Sequence, residues 1–253
     1  MNELQRIPLK RISVEAVAIV ASILLAFAID AWWAERAEKR DEQASLSLIY
    51  RDILEAQEQL RDYISYAESA SDSAINAFAA LARPGPYDRD YVRTQLFRVD
   101  RSTLRVPRAA YRDLLSTGNL RIIGDRQLRD SIIRFYEDIE RTELVIRSNN
   151  AAYLDRLLTD IYYGEGLLLP INPNDSGTAE IDAANASVFE RLPEDVRQME
   201  DPFWQLGPDS KEWQRLRAAV LYAASVHGLG AELAEELLGQ AVSLAEAVQN
   251  RGD

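Results

Sequence analysis

Residues 14–33 read VEAVAIVASILLAFAIDAWW, and this stretch decides how the rest of the chain is organised. At about 1.5 Å per residue, a helix of this stretch would be roughly 30 Å long, which is the thickness of the hydrocarbon core of a bilayer. Its only charges are Glu15 and Asp30, near the two ends, and Trp32 and Trp33 close it with rings that favour a membrane interface. The stretch therefore predicts a transmembrane anchor with a single span.

Two other interpretations of the N-terminus stay open. Ala26-Phe27-Ala28 follows an apolar run and a basic start, as a signal-peptide cleavage site does, so removal of residues 1–28 would leave a secreted soluble domain. The apolar run continues past this site to the paired tryptophans, which favours an anchor over cleavage. The third interpretation is a buried helix of a soluble protein, which the length of the apolar run disfavours.

The predicted anchor divides the chain into an N-terminal tail (1–11), a membrane segment (12–33) and a domain (34–253). Three basic residues precede the segment and three follow it within seven positions, so the charge asymmetry encodes orientation only weakly. A long C-terminal domain is translocated largely regardless of local charge. We therefore expect the N-terminus in the cytoplasm and the domain on the other side of the membrane.

One side of the predicted span carries small residues and an acid. The four residues on this stripe are Glu15, Ala18, Ser22 and Ala26. Small residues spaced by four let a second helix approach closely in lipid, and Glu15 would favour such a neighbour, or Arg11, over lipid. The stripe predicts a homo-oligomer or docking on a partner membrane protein. The alternative is that Glu15 snorkels to the surface and the alanines are ordinary membrane-helix residues.

Two stretches of the chain match a pattern found in bacterial proteins. The first has a glutamate, an apolar run with a central small residue, then Asp-x-Trp and a Glu-Arg pair, at Glu15, Ser22, Asp30, Trp32, Glu35 and Arg36. The second runs from Tyr111 to Asp125 and continues at Leu128-Arg129 and Phe135-Tyr136. On these residues the chain resembles a large family of uncharacterised bacterial single-span membrane proteins. The resemblance implies an inner-membrane protein with a helical periplasmic domain, and it implies no activity.

Composition narrows the classes of function. Residues 1–33 contain three acidic and three basic residues, so the whole net charge of −12 belongs to the domain, which argues against a nucleic-acid partner. The chain has no cysteine, which excludes disulfides and thiolate metal sites, and its single histidine, His227, excludes histidine-cluster zinc sites. We predict no catalytic residue, no metal site and no cofactor, and we expect a protein that is not an enzyme.

Beyond the anchor the hydrophobic pattern is helical. No proline or glycine occurs from Ala34 to Arg83, and apolar residues recur there in steps of three and four, which predicts a long helix continuous with the anchor. Its core-facing residues are predicted to be Leu46, Ile49, Ile53, Ala56, Leu60, Tyr63, Ala67, Ala70, Ala74, Ala77 and Leu81. Two further long helices are predicted, at about 125–163 and from Ser210 towards Asn250. The expected fold is all-α, an antiparallel bundle of about three long helices plus short ones.

Caps and turns locate the shorter elements. Asp88 is predicted to cap a helix at 89–99, Pro107 to open a helix that ends near Ser116, Gly118 to adopt a left-handed turn, and Asp125 to cap the second long helix. The core-facing residues of the second long helix are predicted to be Leu128, Ile132, Phe135, Ile139, Ile146, Tyr153, Leu157 and Ile161, with Asn149 and Asn150 as a polar layer. Those of the third are Trp213, Leu216, Val220, Ala223, Val226, Leu233, Leu237, Ala241, Leu244 and Val248.

Arginines are concentrated between residues 93 and 112, against the single acid Asp100. Five of them recur every three or four positions: Arg98, Arg101, Arg105, Arg108 and Arg112. Pro107 would interrupt a continuous helical stripe. These arginines either pair with the domain's own acidic helices or form a patch for an anion or an anionic lipid headgroup, because guanidinium groups bind carboxylates and phosphates with two parallel hydrogen bonds.

The segment 164–209 is predicted to be irregular, since it is rich in glycine and proline. Residues 172–183 echo the ligand spacing of a calcium loop, but Ala183 stands where a bidentate glutamate is needed, so a solvated turn is favoured. Phe203-Trp204 either packs under the bundle or forms a partner surface, and His227 is expected to be packed or solvated rather than catalytic.

Three functions are compatible with these features. The first is a non-enzymatic interaction module, such as an envelope scaffold or sensor subunit, that works through helix faces and the 164–209 segment. The second is a helical bundle that binds a small ligand or anionic lipid in a pocket whose polar rim includes Arg98 to Arg112. An enzyme ranks last, because nothing in the pattern selects particular carboxylates as catalytic groups.

Overall fold

The computed structural model describes residues 9–83, 87–157, 159–160, 190–197 and 202–252. All regular structure in these ranges is helical, which confirms the predicted all-α fold class. The α-helices are α1 (Leu9–Leu81), α2 (Arg89–Phe97), α3 (Ala109–Ser116), α4 (Arg126–Asn149), α5 (Glu194–Arg197) and α6 (Lys211–Gly252). Two 3₁₀ turns, Asn119–Ile122 and Pro202–Gln205, and a π-helical turn, Asn150–Leu154, complete them.

Helix α1 supplies one side of the core along its C-terminal half, from Leu46 to Leu81. Every predicted core-facing residue of α1, from Leu46 to Leu81, is at most 8% exposed, so this prediction is confirmed. Side chains on the opposite side, such as Leu54, stay exposed. The spacing of three and four residues was sufficient here because an unbroken α-helix keeps all these positions on one face.

Helix α6 runs antiparallel to α1. Near the middle of α1, the Gln57 side-chain amide donates to the Ala241 carbonyl at 3.3 Å, and further along the Ser71 hydroxyl donates to the Ala224 carbonyl at 3.0 Å. Near the end of α1, the Arg217 guanidinium reaches the Leu81 carbonyl. Residues with higher numbers on α1 thus contact residues with lower numbers on α6, as in an antiparallel pair.

The chain returns towards the start of α1 between α2 and α4. The Asp100 carbonyl accepts the Tyr66 hydroxyl at 2.9 Å, the Asp52 carboxylate accepts the Ala110 N–H at 2.8 Å, and the Glu42 carboxylate accepts the Gly124 N–H at 2.7 Å. Helix α4 then runs parallel to α1, towards the C-terminal end of α1. The domain is therefore an up-down-up-down bundle whose second leg consists of α2, a non-helical segment and α3.

The predicted caps determine where the legs begin and end. Asp88 and Asp125 accept backbone N–H groups at the starts of α2 and α4, as predicted, and the Ser210 hydroxyl does the same for α6. Gly118 has φ 69°, the left-handed conformation that stops a helix without a Cβ penalty. Ile123, five residues beyond it, is fully buried, so this corner contributes to the core.

Helix α4 departs from its predicted register after Ile146. The π-helical turn Asn150–Leu154 adds a residue to one turn, which rotates the helix so that Leu154 is buried and Tyr153 is 46% exposed. The prediction for Tyr153 was therefore wrong, while Leu157 is buried as predicted. Asn150 is buried and its side-chain amide donates to the Ser102 carbonyl at 2.7 Å. The predicted Ile161 lies outside the described residues.

Two hydrophobic cores are stacked along the bundle. The first joins α1, α3, α4 and the second half of α6, from Leu46 to Val248. The second joins the end of α1 to α2, Phe203 and the first half of α6, where Phe203 packs 5.0 Å from Trp213 between ring centroids. Phe203 thus packs under the bundle. Val226 and Leu233 are only half-buried, because the α6 face turns towards His227 between the two cores.

A polar layer separates the two cores at His227. Its imidazole is 4% exposed, lies edge-on to Tyr66 with ring centroids 6.1 Å apart, and hydrogen bonds to the backbone of Asp100. Tyr63 closes one side: a Cβ at Gly230 would come within 2.6 Å of the Tyr63 hydroxyl, so only glycine permits this approach. The imidazole Nε2 has no partner among the described residues.

The N-terminal part of α1 precedes the bundle. Within the described part of the chain, no helix is long and apolar enough to span a membrane. Large apolar side chains at the start of α1 are each between 47% and 66% exposed. They are Ile19, Val20, Ile23, Leu24, Leu25, Phe27, Ile29, Trp32 and Trp33.

We expect the burial of His227 to make stability depend on pH. Burial lowers its pKa to about 4, against a weaker opposing effect of the Asp100 hydrogen bond, whereas the unfolded chain titrates at about 6.5. Between these values only the unfolded chain binds the proton, so stability falls as the pH falls from about 6.5 towards 4. From pH 7 to pH 5 the free energy of unfolding should fall by about 2 kcal/mol.

This is checked by urea denaturation of the full chain at pH 5 and pH 7. Because His227 is the only histidine of the chain, the His227→Gln variant should lose this part of the pH dependence. An equal decrease in the wild type and in His227→Gln would contradict the assignment.

Candidate anion-binding pocket

Residues 98–108, which we call the strap, connect α2 to α3 along the side of α4. The Ser102 carbonyl accepts the Asn150 side-chain amide, and the Val106 N–H donates to the Glu143 carboxylate at 3.0 Å. From Glu143 to Asn150 the helix axis rises about 10.5 Å over seven residues. The strap covers this distance in four residue steps, from Ser102 to Val106, so it advances about 2.6 Å per residue. The strap is thus much more extended than a helix, and the predicted arginines do not form a helical stripe.

A pocket of about 530 Å³ lies between the strap, α3 and α4. This volume is within the range of sites for small organic ligands. Its apolar lining comes from Leu104, Val106, Pro107, Ala109 and Ile146, of which Leu104, Val106 and Ile146 are buried. Its polar lining comes from Thr103, Arg105, Arg108, Arg112, Glu143 and Arg147. The lining therefore holds four guanidinium groups and one carboxylate.

Arg108 and Glu143 form an internal clamp. One oxygen of the Glu143 carboxylate accepts the Val106 N–H, and the other accepts the Arg108 guanidinium. The Arg108 side chain is 14% exposed and that of Glu143 17%, while Glu140, a second partner of Arg108 at 3.4 Å, is 61% exposed. The Arg108–Glu143 pair therefore fixes the strap to α4, and the opposite charges of the two side chains neutralise each other.

The other three arginines of the pocket pair with no carboxylate of the described residues. The side chains of Arg105, Arg112 and Arg147 are exposed, and none has a hydrogen bond or ion pair with another described residue. They come from the strap, α3 and α4, so the fold brings three like charges to one pocket. An anion in the pocket would lower their mutual repulsion and accept their N–H groups.

The five arginines singled out by spacing separate in the structure. Arg105, Arg108 and Arg112 line the pocket. Arg98 ends α2 and is exposed, and Arg101 pairs with Asp155 at 3.0 Å, so these two do not contribute to it. The structure adds Arg147, whose only sequence signal is its position one helical turn after Glu143.

The residues of the predicted anchor lie on α1. Ser22 and Ala26 belong to its exposed part, and the side chains of Glu15 and Ala18 are outside the described set. The Trp32 and Trp33 rings, two and three positions beyond Asp30, meet edge to face at 5.1 Å, with the Arg36 guanidinium 5.4 Å from the Trp32 ring centre. The calcium-like residues 172–183 lie outside the described residues, and within the described ones no group of three potential metal ligands occurs.

No protein family, curated protein or solved structure matches this chain. The resemblance of residues 15–36 and 111–136 to bacterial single-span proteins therefore stays a prediction. The interpretation of the pocket rests on its geometry alone.

We expect Glu143→Ala to destabilise the domain by about 2–3 kcal/mol, because it leaves the Val106 N–H and the largely buried Arg108 without their acceptor. This should lower the melting temperature of the full chain by about 5–10 °C, measured by circular dichroism. Glu140→Ala removes the same charge from the exposed partner and should change the melting temperature by about 2 °C at most. Equal effects of the two substitutions would show that the clamp does not hold the strap.

Proposed function

We propose that the chain is a single-span membrane protein whose helical domain is a non-enzymatic interaction module. One observation supports the membrane assignment: the large apolar side chains from Ile19 to Trp33 surround α1 on all sides, and the bundle covers none of them. The described residues alone contain no complete span, and the proposed span also includes residues 12–18, whose side chains lie outside the described set. A helix that is hydrophobic on every side is stable in lipid or inside a protein, and not in water. The flanking Trp32, Trp33 and Arg36 are the residues that favour a membrane interface.

The proposed orientation is that of a bacterial inner-membrane protein. The N-terminus lies in the cytoplasm and the domain in the periplasm, as the resemblance implies. Cleavage after Ala28 is the competing hypothesis and would release a soluble domain. The stripe of Ser22 and Ala26, with Glu15 and Ala18, is proposed to contact a second copy or a partner span.

The continuity of α1 supports a scaffold or sensor. The helix that carries the exposed apolar stretch is the one that supplies the buried row from Leu46 to Leu81. A displacement or rotation of the span is therefore transmitted to the core of the domain without a flexible linker. This link suits a protein that relates events at the membrane to a partner some distance away.

The domain is proposed to recognise its partner through an anionic group at the arginine pocket. Arg105, Arg112 and Arg147 supply three cations that pair with no other described residue, in a domain whose net charge is strongly negative. The one carboxylate of the pocket, Glu143, is already engaged by Arg108, which supports binding over catalysis. The pocket is therefore a place for an anion to be held.

A lipid headgroup of the anchoring membrane does not suit this pocket. Asp52, which contacts the start of α3, lies 19 residues beyond Trp33 on the same helix, or about 28 Å along its axis. This exceeds the Debye length of about 8 Å at physiological ionic strength, so the pocket does not attract the membrane surface. The alternative of an anionic-lipid ligand is thus less well supported than a soluble anionic partner.

Protease treatment of spheroplasts tests the anchor and its orientation. The full chain with a C-terminal tag should pellet with membranes, and external protease should remove the tag, because the domain lies outside the cytoplasm. A tag that is protected until lysis would invert the topology. Release of the tagged chain into the periplasmic fraction would instead support cleavage.

Titration with citrate tests the pocket. We expect the full chain in non-ionic detergent to bind this tricarboxylate by isothermal titration calorimetry at low salt, and more weakly as salt is raised. Arg147→Ser should weaken binding about tenfold, since it removes a charge-assisted contact. Arg126→Ser, which removes an exposed arginine of α4 outside the pocket, is the matched control, and equal effects of both would contradict a specific site.

A further inference from the structure

The strap presents backbone groups as well as charges to the pocket. No hydrogen bond joins the backbone of Thr103, Leu104 or Arg105 to another described residue. Within the described part of the chain, the N–H and C=O groups of these three successive residues have no partner, and the segment is more extended than a helix, so they form an open edge for another extended chain. Since these residues line the pocket, the edge and the unpaired arginines belong to one surface.

We propose that the pocket binds an acidic peptide segment of a partner protein, which lies extended along the strap. This rests on the proposed function and names the chemistry of the partner. Strand addition to an exposed backbone edge is a recurrent mode of peptide recognition, in which main-chain hydrogen bonds give affinity and side chains give specificity.

The side chains of the strap determine the sequence that fits. Leu104 and Val106 are buried and Arg105 between them is exposed, so the strap alternates in the manner of a strand. A peptide beside it would place apolar residues next to Leu104 and Val106 and a carboxylate next to Arg105. Arg112 and Arg147, from α3 and α4, would receive further carboxylates. The favoured ligand therefore alternates acidic and apolar residues.

A peptide accounts for more of the surface than a free inorganic anion does. An inorganic anion would contact guanidinium groups and would leave both the apolar lining and the free backbone groups without a partner. These groups occur together on residues 103–106, and an extended peptide satisfies both in one binding mode.

The experiment measures binding of a fluorescein-labelled Glu-Val octapeptide, with four Glu-Val repeats, to the full chain in non-ionic detergent by fluorescence anisotropy. The matched probe is the same peptide with alternate backbone nitrogens methylated, which keeps every carboxylate and removes donors. We expect methylation to weaken binding about tenfold or more, because it removes main-chain hydrogen bonds. A Lys-Val octapeptide should not bind.

Substitutions localise the binding. Arg112→Glu and Arg147→Glu should each raise the dissociation constant about tenfold or more. Arg126→Glu makes the same charge change on α4 outside the pocket and should alter it by about twofold at most. Equal losses in all three variants would overturn the assignment, since they would report a general charge effect.

The remaining outcomes separate this inference from the proposed function. Equal affinity for the methylated peptide, or displacement of the peptide by an equal concentration of inorganic phosphate, would overturn the inference and leave an anion pocket in place. Loss of peptide binding when detergent is replaced by phosphatidylglycerol nanodiscs, but not phosphatidylcholine nanodiscs, would assign the pocket to lipid and overturn the inference too. If neither citrate nor peptide binds, the proposed anion-binding function fails as well.

Discussion

The packing of α1 against α6 is the constraint on which the rest of the structure depends. Both helices present alanines at buried positions: Ala56, Ala67, Ala70, Ala74 and Ala77 on α1, and Ala223, Ala224, Ala231, Ala234 and Ala241 on α6. Small side chains let two helix backbones approach closely, and α1 and α6 form the most extensive helix–helix contact among the described residues. The two middle legs, α2 to α3 and α4, pack against this pair and complete the cores.

The polar layer is a consequence of the same close approach. Between the two cores, Gly228 and Gly230 follow His227 on α6, and the Tyr63 ring occupies the space that a side chain at Gly230 would need. Tyrosine hydroxyls in such a layer stay protonated, since burial raises the pKa of Tyr63 to about 12. The layer interrupts the continuous apolar face and thereby distinguishes one register of the α1–α6 pair from its neighbours, because a shift would bury the polar groups against apolar ones.

Much of this fold could be predicted from the sequence, because the signals that determine it are local. Asp88, Gly118 and Asp125 cap or stop helices through contacts within a few residues, and the core-facing row of α1 follows from helical period alone. The exposure of Tyr153 could not be predicted in this way. It depends on a π-helical turn, which an apolar spacing of three and four residues does not encode.

The pocket was only partly predictable, for a similar reason. Spacing selected Arg105, Arg108 and Arg112, but on the assumption of a helix that the strap does not form. Arg147 enters the site through α4, far along the sequence, and its contribution is a property of the tertiary fold. Arg108 differs from Arg105 and Arg112 because it pairs with Glu143. No local sequence pattern predicts this pair. The concentration of arginines indicated the region of the pocket, but the tertiary fold determines which arginines line it.

The unbroken course of α1 couples two quantities that a flexible linker would leave independent. Each residue of α1 between Trp33 and Glu42 increases the distance from Trp33 to the pocket, measured along the helix axis, by about 1.5 Å. It also rotates the pocket about that axis by about 100°. Insertions of one or two residues would therefore rotate the strap about the helix axis by about 100° or 200° and move it along the axis by only about 1.5 or 3 Å. Seven residues, close to two full turns, would lift it by about 10 Å and restore its direction. If α1 is anchored as proposed, the length of this short stretch sets both the distance of the pocket from the membrane and the direction in which the strap faces.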